Sequence, residues 1–206
     1  MKARQKPFNI VVCGVGGQGN ILISRLIGRI LTDQGHTVSI GETFGAAQRG
    51  GSVFSCLRVS KERLYGPIIP DGQANVIISL EPMEALRQLK SLGNPDVMVL
   101  TNTKTVNPVQ VTIGEQTYPD FDRLKSVITG LSKQAWFIPA TDIAMEIGAP
   151  IIANIVMLGA LVGSGVMKIS MDEAESEVRA TIPEPKHDIN INALKKGYAA
   201  AAHGSH

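Results

Sequence analysis

Phe8-Asn9-Ile10-Val11-Val12-Cys13 runs straight into Gly14-Val15-Gly16-Gly17-Gln18-Gly19, after which Leu22, Leu26 and Ile30 recur every four residues. An apolar run of this length closed by glycines reads as a buried strand, and the four-residue repeat reads as one face of a helix over 18–33. Strand, tight turn and helix in that order commit the opening of the chain to an α/β arrangement, since parallel strands need a crossover to return.

The remaining pattern extends the theme. Residues 37–40, 53–59, 75–80, 96–100 and 135–138 read as further strands, with helices over 83–92 and 121–131. Pro82 suits a first helical turn. From Pro139 the pattern turns helical, over 141–147, from Ile151, from the capping box Ser170-Met171-Asp172-Glu173, and over 187–198 after the break at Pro183-Glu184-Pro185. The expected fold is a doubly wound α/β domain: a mostly parallel sheet, helices on both faces and a helical C-terminal layer. Residues 1–206 read as one domain, with no role for His203-Gly204-Ser205-His206.

Composition excludes several functions. Apolar residues are 44% of the chain and charged residues 18%, so a conventional core can form and disorder is excluded for most of the length. Twenty basic against eighteen acidic residues leave +2, with no run of five like charges, which argues against nucleic acid as a partner. Residues 147–167 are uncharged but hold Pro150, Asn154 and four glycines, so a buried core helix is expected and no membrane span. The apolar run after the basic start is too short for a secretory signal. Cys13 and Cys56 both sit in apolar segments and cannot build a disulfide framework, which fits a reducing cytoplasm.

The chemistry concentrates in the loops. Gly14-x-Gly16-x-x-Gly19 lies between a strand and a helix, where unpaired N–H groups can hold a phosphate or another anion. The alternative is that the glycines serve only the tight packing of strand on helix. An NAD-binding reading would need an acid near the end of the second strand, and Glu42 is the candidate. Gln48-Arg49-Gly50-Gly51-Ser52 sets an arginine beside two glycines, able to reach an anion held by the first loop or to pair with a carboxylate across an interface. His36 and His187 are expected in exposed or capping positions, Thr141-Asp142 as an N-cap, and Asn154 with a backbone partner. No C-x-x-C, H-E-x-x-H, G-x-S-x-G or P-loop is present, so no catalytic residue and no metal ligand is expected.

Taken in order, the Gly14–Gly19 loop with Asn20 and Ile21, the Gln48–Val53 loop, Ile69-Pro70-Asp71-Gly72 before Ala74-Asn75-Val76, Glu81-Pro82-Met83-Glu84-Ala85-Leu86-Arg87, residues 153–161, and Asn192-Ala193-Leu194 with Gly197-Tyr198 resemble the gamma-type module of 2-oxoacid:ferredoxin oxidoreductases. The resemblance spans residues 8–198 and is nearest to the indolepyruvate branch. It departs at Thr43-Phe44-Gly45-Ala46, where a histidine is expected before the glycine.

The resemblance implies a subunit of a heteromer that is inactive alone. Thiamine diphosphate with magnesium, and [4Fe-4S] clusters, are expected in a larger partner subunit, and ferredoxin is reached through the complex. Coenzyme A, the acyl acceptor, is expected near the glycine loops, with Gly14, Gly16, Gly17, Gln18, Gly19, Asn20, Gln48, Arg49, Gly50 and Gly51 as the binding residues. The rival readings are a free-standing nucleotide-binding module or NAD(P)-dependent reductase, which Glu42 decides, and a structural subunit whose loops only form interface turns.

Overall fold

A computed structural model describes residues 6–42, 51–106 and 118–202. Its centre is a six-stranded sheet built from β1 (Phe8–Val15), β2 (Thr37–Glu42), β3 (Ser52–Ser60), β4 (Val76–Ser79), β5 (Met98–Asn102) and β6 (Gln134–Ile138), in the order β2-β3-β1-β4-β5-β6. β1, β4, β5 and β6 pair in parallel. β3 is antiparallel to both β1 and β2, so five strands run one way and one runs against them. The connection from β2 to β3 is shorter than the dozen or so residues a parallel return needs, so β3 must come back antiparallel.

Side-chain alternation gives the sheet two apolar faces. Ile10, Val12, Ile78, Leu100 and Trp136 point to one, beneath α1 (Asn20–Asp33), α4 (Ala140–Glu146), α5 (Ala153–Gly163), α6 (Met171–Thr181) and α7 (His187–Ala202). Val11, Cys13, Ile77, Val99 and Ala135 point to the other, beneath α2 (Pro82–Leu92) and α3 (Phe121–Leu131). The sheet is thus mostly parallel with helices on both faces, and the helical C-terminal layer lies on the first.

α5 is apolar around its whole circumference because it is enclosed by the sheet and by α7. Ile155, Val156, Met157, Leu158 and Leu161 are fully buried, each such side chain contributing roughly 1.5–3 kcal/mol. The two helices approach until backbone meets backbone: a Cβ on Gly159 would lie 1.9 Å from the Leu194 carbonyl oxygen, and one on Gly197 1.9 Å from that of Val156. The uncharged stretch ends as a helix at Gly163, and among the described residues no helix is long and apolar enough to cross a membrane.

Boundaries differ from the sequence reading where side chains redirect the backbone. β5 begins two residues later than expected because Asn94 forms a turn, its Oδ1 accepting from the Asp96 amide at 2.9 Å and its carbonyl from Val97 at 3.1 Å. α1 begins at Asn20 rather than Gln18, since Gly19 takes a left-handed conformation (φ 85°) that the helix cannot continue through. The capping box at Ser170 is formed as the spacing requires, with both reciprocal hydrogen bonds.

Candidate functional site

The Gly14–Gly19 loop leaves the carboxyl end of β1 and is held by its own residues. The Val15 amide donates to Gln18 Oε1 at 2.7 Å, and Gln18 Nε2 donates to the Leu80 carbonyl at 3.2 Å, so one carboxamide ties the turn to the end of β4. The Gln18 amide donates to Val15 O at 3.2 Å, and the Gly16 amide to Gly51 O at 2.9 Å. The second loop therefore meets the first at this edge through Gly51; Gln48, Arg49 and Gly50 lie outside the described residues. Asn20 is buried behind the loop, its Nδ2 donating to Val15 O at 3.4 Å, with Oδ1 lacking a partner among the described residues.

Connections from β1 and β4, which are neighbours, leave on opposite faces through α1 and α2. In a sheet of this kind the crevice beyond the carboxyl ends at such a divergence is where ligands are held. A cleft of about 290 Å³ opens there, lined by Gly17 and Gln18 after β1, Leu80 after β4, Asn102 at the end of β5, Lys104 and Val106 beyond it, Thr141, Pro150, Ile151 and Ala153. Of the residues expected to bind a ligand, Gly17 and Gln18 line this cleft, whereas Gly14, Gly16, Gly19, Asn20 and Gly51 shape the turn beneath it; Thr141, expected only as an N-cap, also lines it. A larger hollow of about 610 Å³ lies at the opposite edge of the sheet, between Phe8, Val59 and Met167; His36 lines it, but none of the residues expected to bind a ligand does.

Among the described residues, the cleft lining has one charge, the ammonium of Lys104, and no carboxylate. The amino ends of α1 and α5 lie side by side at its rim, where Asn154 Nδ2 donates to Gly19 O at 3.4 Å. Helix amino ends carry partial positive charge, so the electrostatics favour an anion. Asn102 was not singled out in the sequence. Its Nδ2 donates to Leu80 O at 3.2 Å and to Thr141 Oγ1 at 2.8 Å, and its Oδ1 accepts from the Thr141 amide at 3.3 Å. An asparagine closing an apolar strand was the only local signal for it.

Beside the cleft lies a second set of residues that the sequence did not mark as functional. Glu81 is 1% exposed and caps α2, its Oε2 accepting from the Glu84 amide at 3.0 Å. Its Oε1 accepts from the Val106 amide at 3.4 Å and from the Tyr118 hydroxyl. Burial pushes the Glu81 carboxyl above the ordinary glutamate range against the lowering effect of these donors, and burial and the neighbouring carboxylate push the Tyr118 phenol up. Glu84 accepts from the Ser52 hydroxyl and pairs with Arg87 Nε at 3.3 Å.

Other sequence candidates resolve individually. Glu42 is held by Arg25 of α1, Nε to Oε1 at 3.3 Å and Nη2 to Oε2 at 3.5 Å. The intervening β3 places Glu42 two strand spacings from β1, roughly 9–10 Å, so it is not beside the glycine loop as a ribose-binding acid must be. His36 and His187 each face a backbone carbonyl, Leu31 O at 3.2 Å and Ile182 O at 2.7 Å. Asn154 has backbone partners, as expected. Thr141 is not an N-cap: β6 runs to Ile138 and turns at once through Pro139, so α4 starts at Ala140 and Thr141 lies within its first turn.

Two cysteines cannot supply the four thiolates of an iron–sulfur cluster, and the donors among the described residues do not suit a resident metal. Cys13 and Cys56 are buried in the second core with thiols pushed up by burial, and among the described residues no group of three or more His, Cys, Asp or Glu could hold a metal ion.

Subunit IorB of indolepyruvate oxidoreductase from Archaeoglobus fulgidus is 39% identical over 197 residues, 96% of this chain and 96% of the relative. The protein of the same name from Thermococcus kodakarensis is 36% identical over 197 residues, 95% of this chain and 96% of the relative. The solved structure of 2-oxoglutarate:ferredoxin oxidoreductase from Magnetococcus marinus, with 2-oxoglutarate, coenzyme A and succinyl-CoA bound, shares the fold with a TM-score of 0.74 at 23% identity, matching 96% of this chain and 31% of that one. The family model for pyruvate ferredoxin/flavodoxin oxidoreductases matches residues 9–200, and the chain belongs to that family.

Proposed function

We propose that this chain is the non-cofactor-bearing subunit of an indolepyruvate ferredoxin oxidoreductase, assisting coenzyme A-dependent oxidative decarboxylation of an aryl 2-oxoacid with electrons passed to ferredoxin. Two relatives of that name, matched over nearly their whole length, support the assignment. The observation that carries the role of this chain is the cleft at the carboxyl edge. It has glycine backbone on one wall, Lys104 on the other, two helix amino ends at the rim and, among the described residues, no carboxylate in its lining.

The cleft takes an anionic acceptor, the coenzyme A pyrophosphate. Gly17 allows close backbone approach, Gln18 and Gly51 hold the turn, and Gly14, Gly16, Gly19 and Asn20 set its shape; Gln48, Arg49 and Gly50, expected from the sequence to bind the same anion, lie outside the described residues. Thiamine diphosphate with magnesium, and [4Fe-4S] clusters, belong to a larger partner subunit and supply carbon–carbon cleavage and electron transfer. The contribution of this chain is to hold and orient the acceptor, which lowers the entropic part of the barrier. Residues 1–206 act as one domain, in the cytoplasm, with neither nucleic acid nor membrane as a partner.

The test is reconstitution with the larger subunit and an assay of indolepyruvate-dependent ferredoxin reduction. Lys104→Glu raises the KM for coenzyme A at least about tenfold, a loss of ~1.4 kcal/mol, and leaves the KM for indolepyruvate unchanged. An unaltered coenzyme A requirement removes the cleft from the reaction, and ketoacid turnover by this chain alone overturns the subunit reading.

A further inference from the structure

We propose that Glu81 is a positioning residue that sets the Lys104–Val106 wall of the cleft. The proposal rests on the reading of that cleft as an anion site. It starts from a mismatch between residue and task. Side-chain N-caps are preferentially Ser, Thr, Asp or Asn, whose short side chains fold back on the first turn, yet the side chain that caps α2 is a glutamate, 1% exposed. Capping accounts for one of its oxygens only, Oε2 on the Glu84 amide at 3.0 Å.

The additional methylene carries the other oxygen outward to two further donors. Val106 offers its amide at 3.4 Å and Tyr118 its hydroxyl, so one buried carboxylate gathers residues from both described ends of the connection between β5 and α3. Val106 and Lys104 belong to the cleft lining, whose facing wall is Gly17 and Gln18. The neighbouring residue completes the arrangement: the Leu80 carbonyl accepts from Gln18 Nε2 and from Asn102 Nδ2, each at 3.2 Å. Leu80 and Glu81, consecutive after β4, thereby bind together the β1 loop, the end of β5 and the segment beyond it.

A carboxylate taken out of water is tolerated when donors surround it, and three do so here. Glu81 itself is absent from the cleft lining, so its effect on a ligand passes through Val106 and Lys104 and not through contact.

The experiment uses the complex with the larger subunit and three variants. Glu81→Asp keeps a preferred N-cap but withdraws the carboxylate from Val106 and Tyr118; Tyr118→Phe deletes one donor and leaves the cap intact; Lys104→Ala removes the cleft charge. Two readouts are taken, hydrogen exchange at the Val106 amide and the KM for coenzyme A against kcat. The expected result is faster Val106 exchange and an approximately fivefold higher KM for coenzyme A in Glu81→Asp, a smaller change of the same kind in Tyr118→Phe, and little change in kcat or in melting temperature. If Lys104→Ala raises that KM while Glu81→Asp and Tyr118→Phe move neither readout, Glu81 is only a helix cap and the proposal is overturned. If Val106 exchange rises in both variants but none of the three, Lys104→Ala included, alters the KM, the reading of the cleft fails instead.

Discussion

The carboxamide of Asn154 rests so close to Gly19 that a Cβ on that glycine would lie 2.2 Å from Nδ2. Gly19 is also left-handed, with φ +85°, so two separate constraints fall on one residue at the start of α1.

Gly19→Ala is expected to cost about 2–4 kcal/mol, combining the left-handed penalty with displacement of a buried amide. Asn154→Ala relieves the overlap and not the backbone strain. Denaturant unfolding of both single variants and the double variant should therefore show the double losing less than the sum of the singles. Simple additivity would mean that the two residues are not in contact.

The seam between α5 and α7 makes a second prediction. Gly159→Ala and Gly197→Ala each drive a methyl group into a facing backbone carbonyl and should each cost about 1–3 kcal/mol or more. Gly130→Ala on α3 meets nothing within 4 Å and should stabilise the chain by up to ~1 kcal/mol through helix propensity. Thermal melts of the three variants decide it, and equal effects at 130 and 159 would contradict the packing.

Burial raises the Glu81 carboxyl, so the folded chain retains that proton at pH values where the unfolded chain has released it. The stability contributed by this group is fully present below the ordinary glutamate value, about 4.3, and is lost as pH rises through the raised folded value. Glu81→Gln has no such titration, and its stability relative to the parent chain should climb across that window. A difference that stays constant with pH would show that Glu81 ionises normally.

Cys13 is fully buried and Cys56 nearly so, and desolvation disfavours both thiolates. Ellman's reagent at mildly alkaline pH should label neither thiol in the native chain and both after denaturation. Stoichiometric labelling of Cys13 before unfolding would mean that the second core opens readily.

The sequence carried the order of elements because period and punctuation are local: the strand before Gly14, the capping box at Ser170 and the proline at 82 were each read from neighbours. The direction of β3 was not readable from its own residues, since a two-residue alternation is the same for either sense of a strand; only the short connection from β2 fixes it. The displacement of β5 was hidden in one asparagine whose side chain replaced a ladder bond with a turn. For the candidate site, the glycine loop was visible and its facing wall was not. Lys104 and Val106 have no pattern of their own, and Glu81 reaches Val106 across 25 positions and Tyr118 across 37. That Asn154 needed a backbone partner followed from burial; that the partner was Gly19, 135 positions away, required the fold.

The helix seam also bears on how the chain is made. α7 follows every strand in chain order, yet it supplies the surface against which α5 buries Val156 and Gly159. While the polypeptide emerges from the ribosome, the sheet can assemble before that surface exists, leaving the most apolar helix exposed on one side. Closing of the seam is then a late event of biosynthesis, because the helix that completes it is the last to be made.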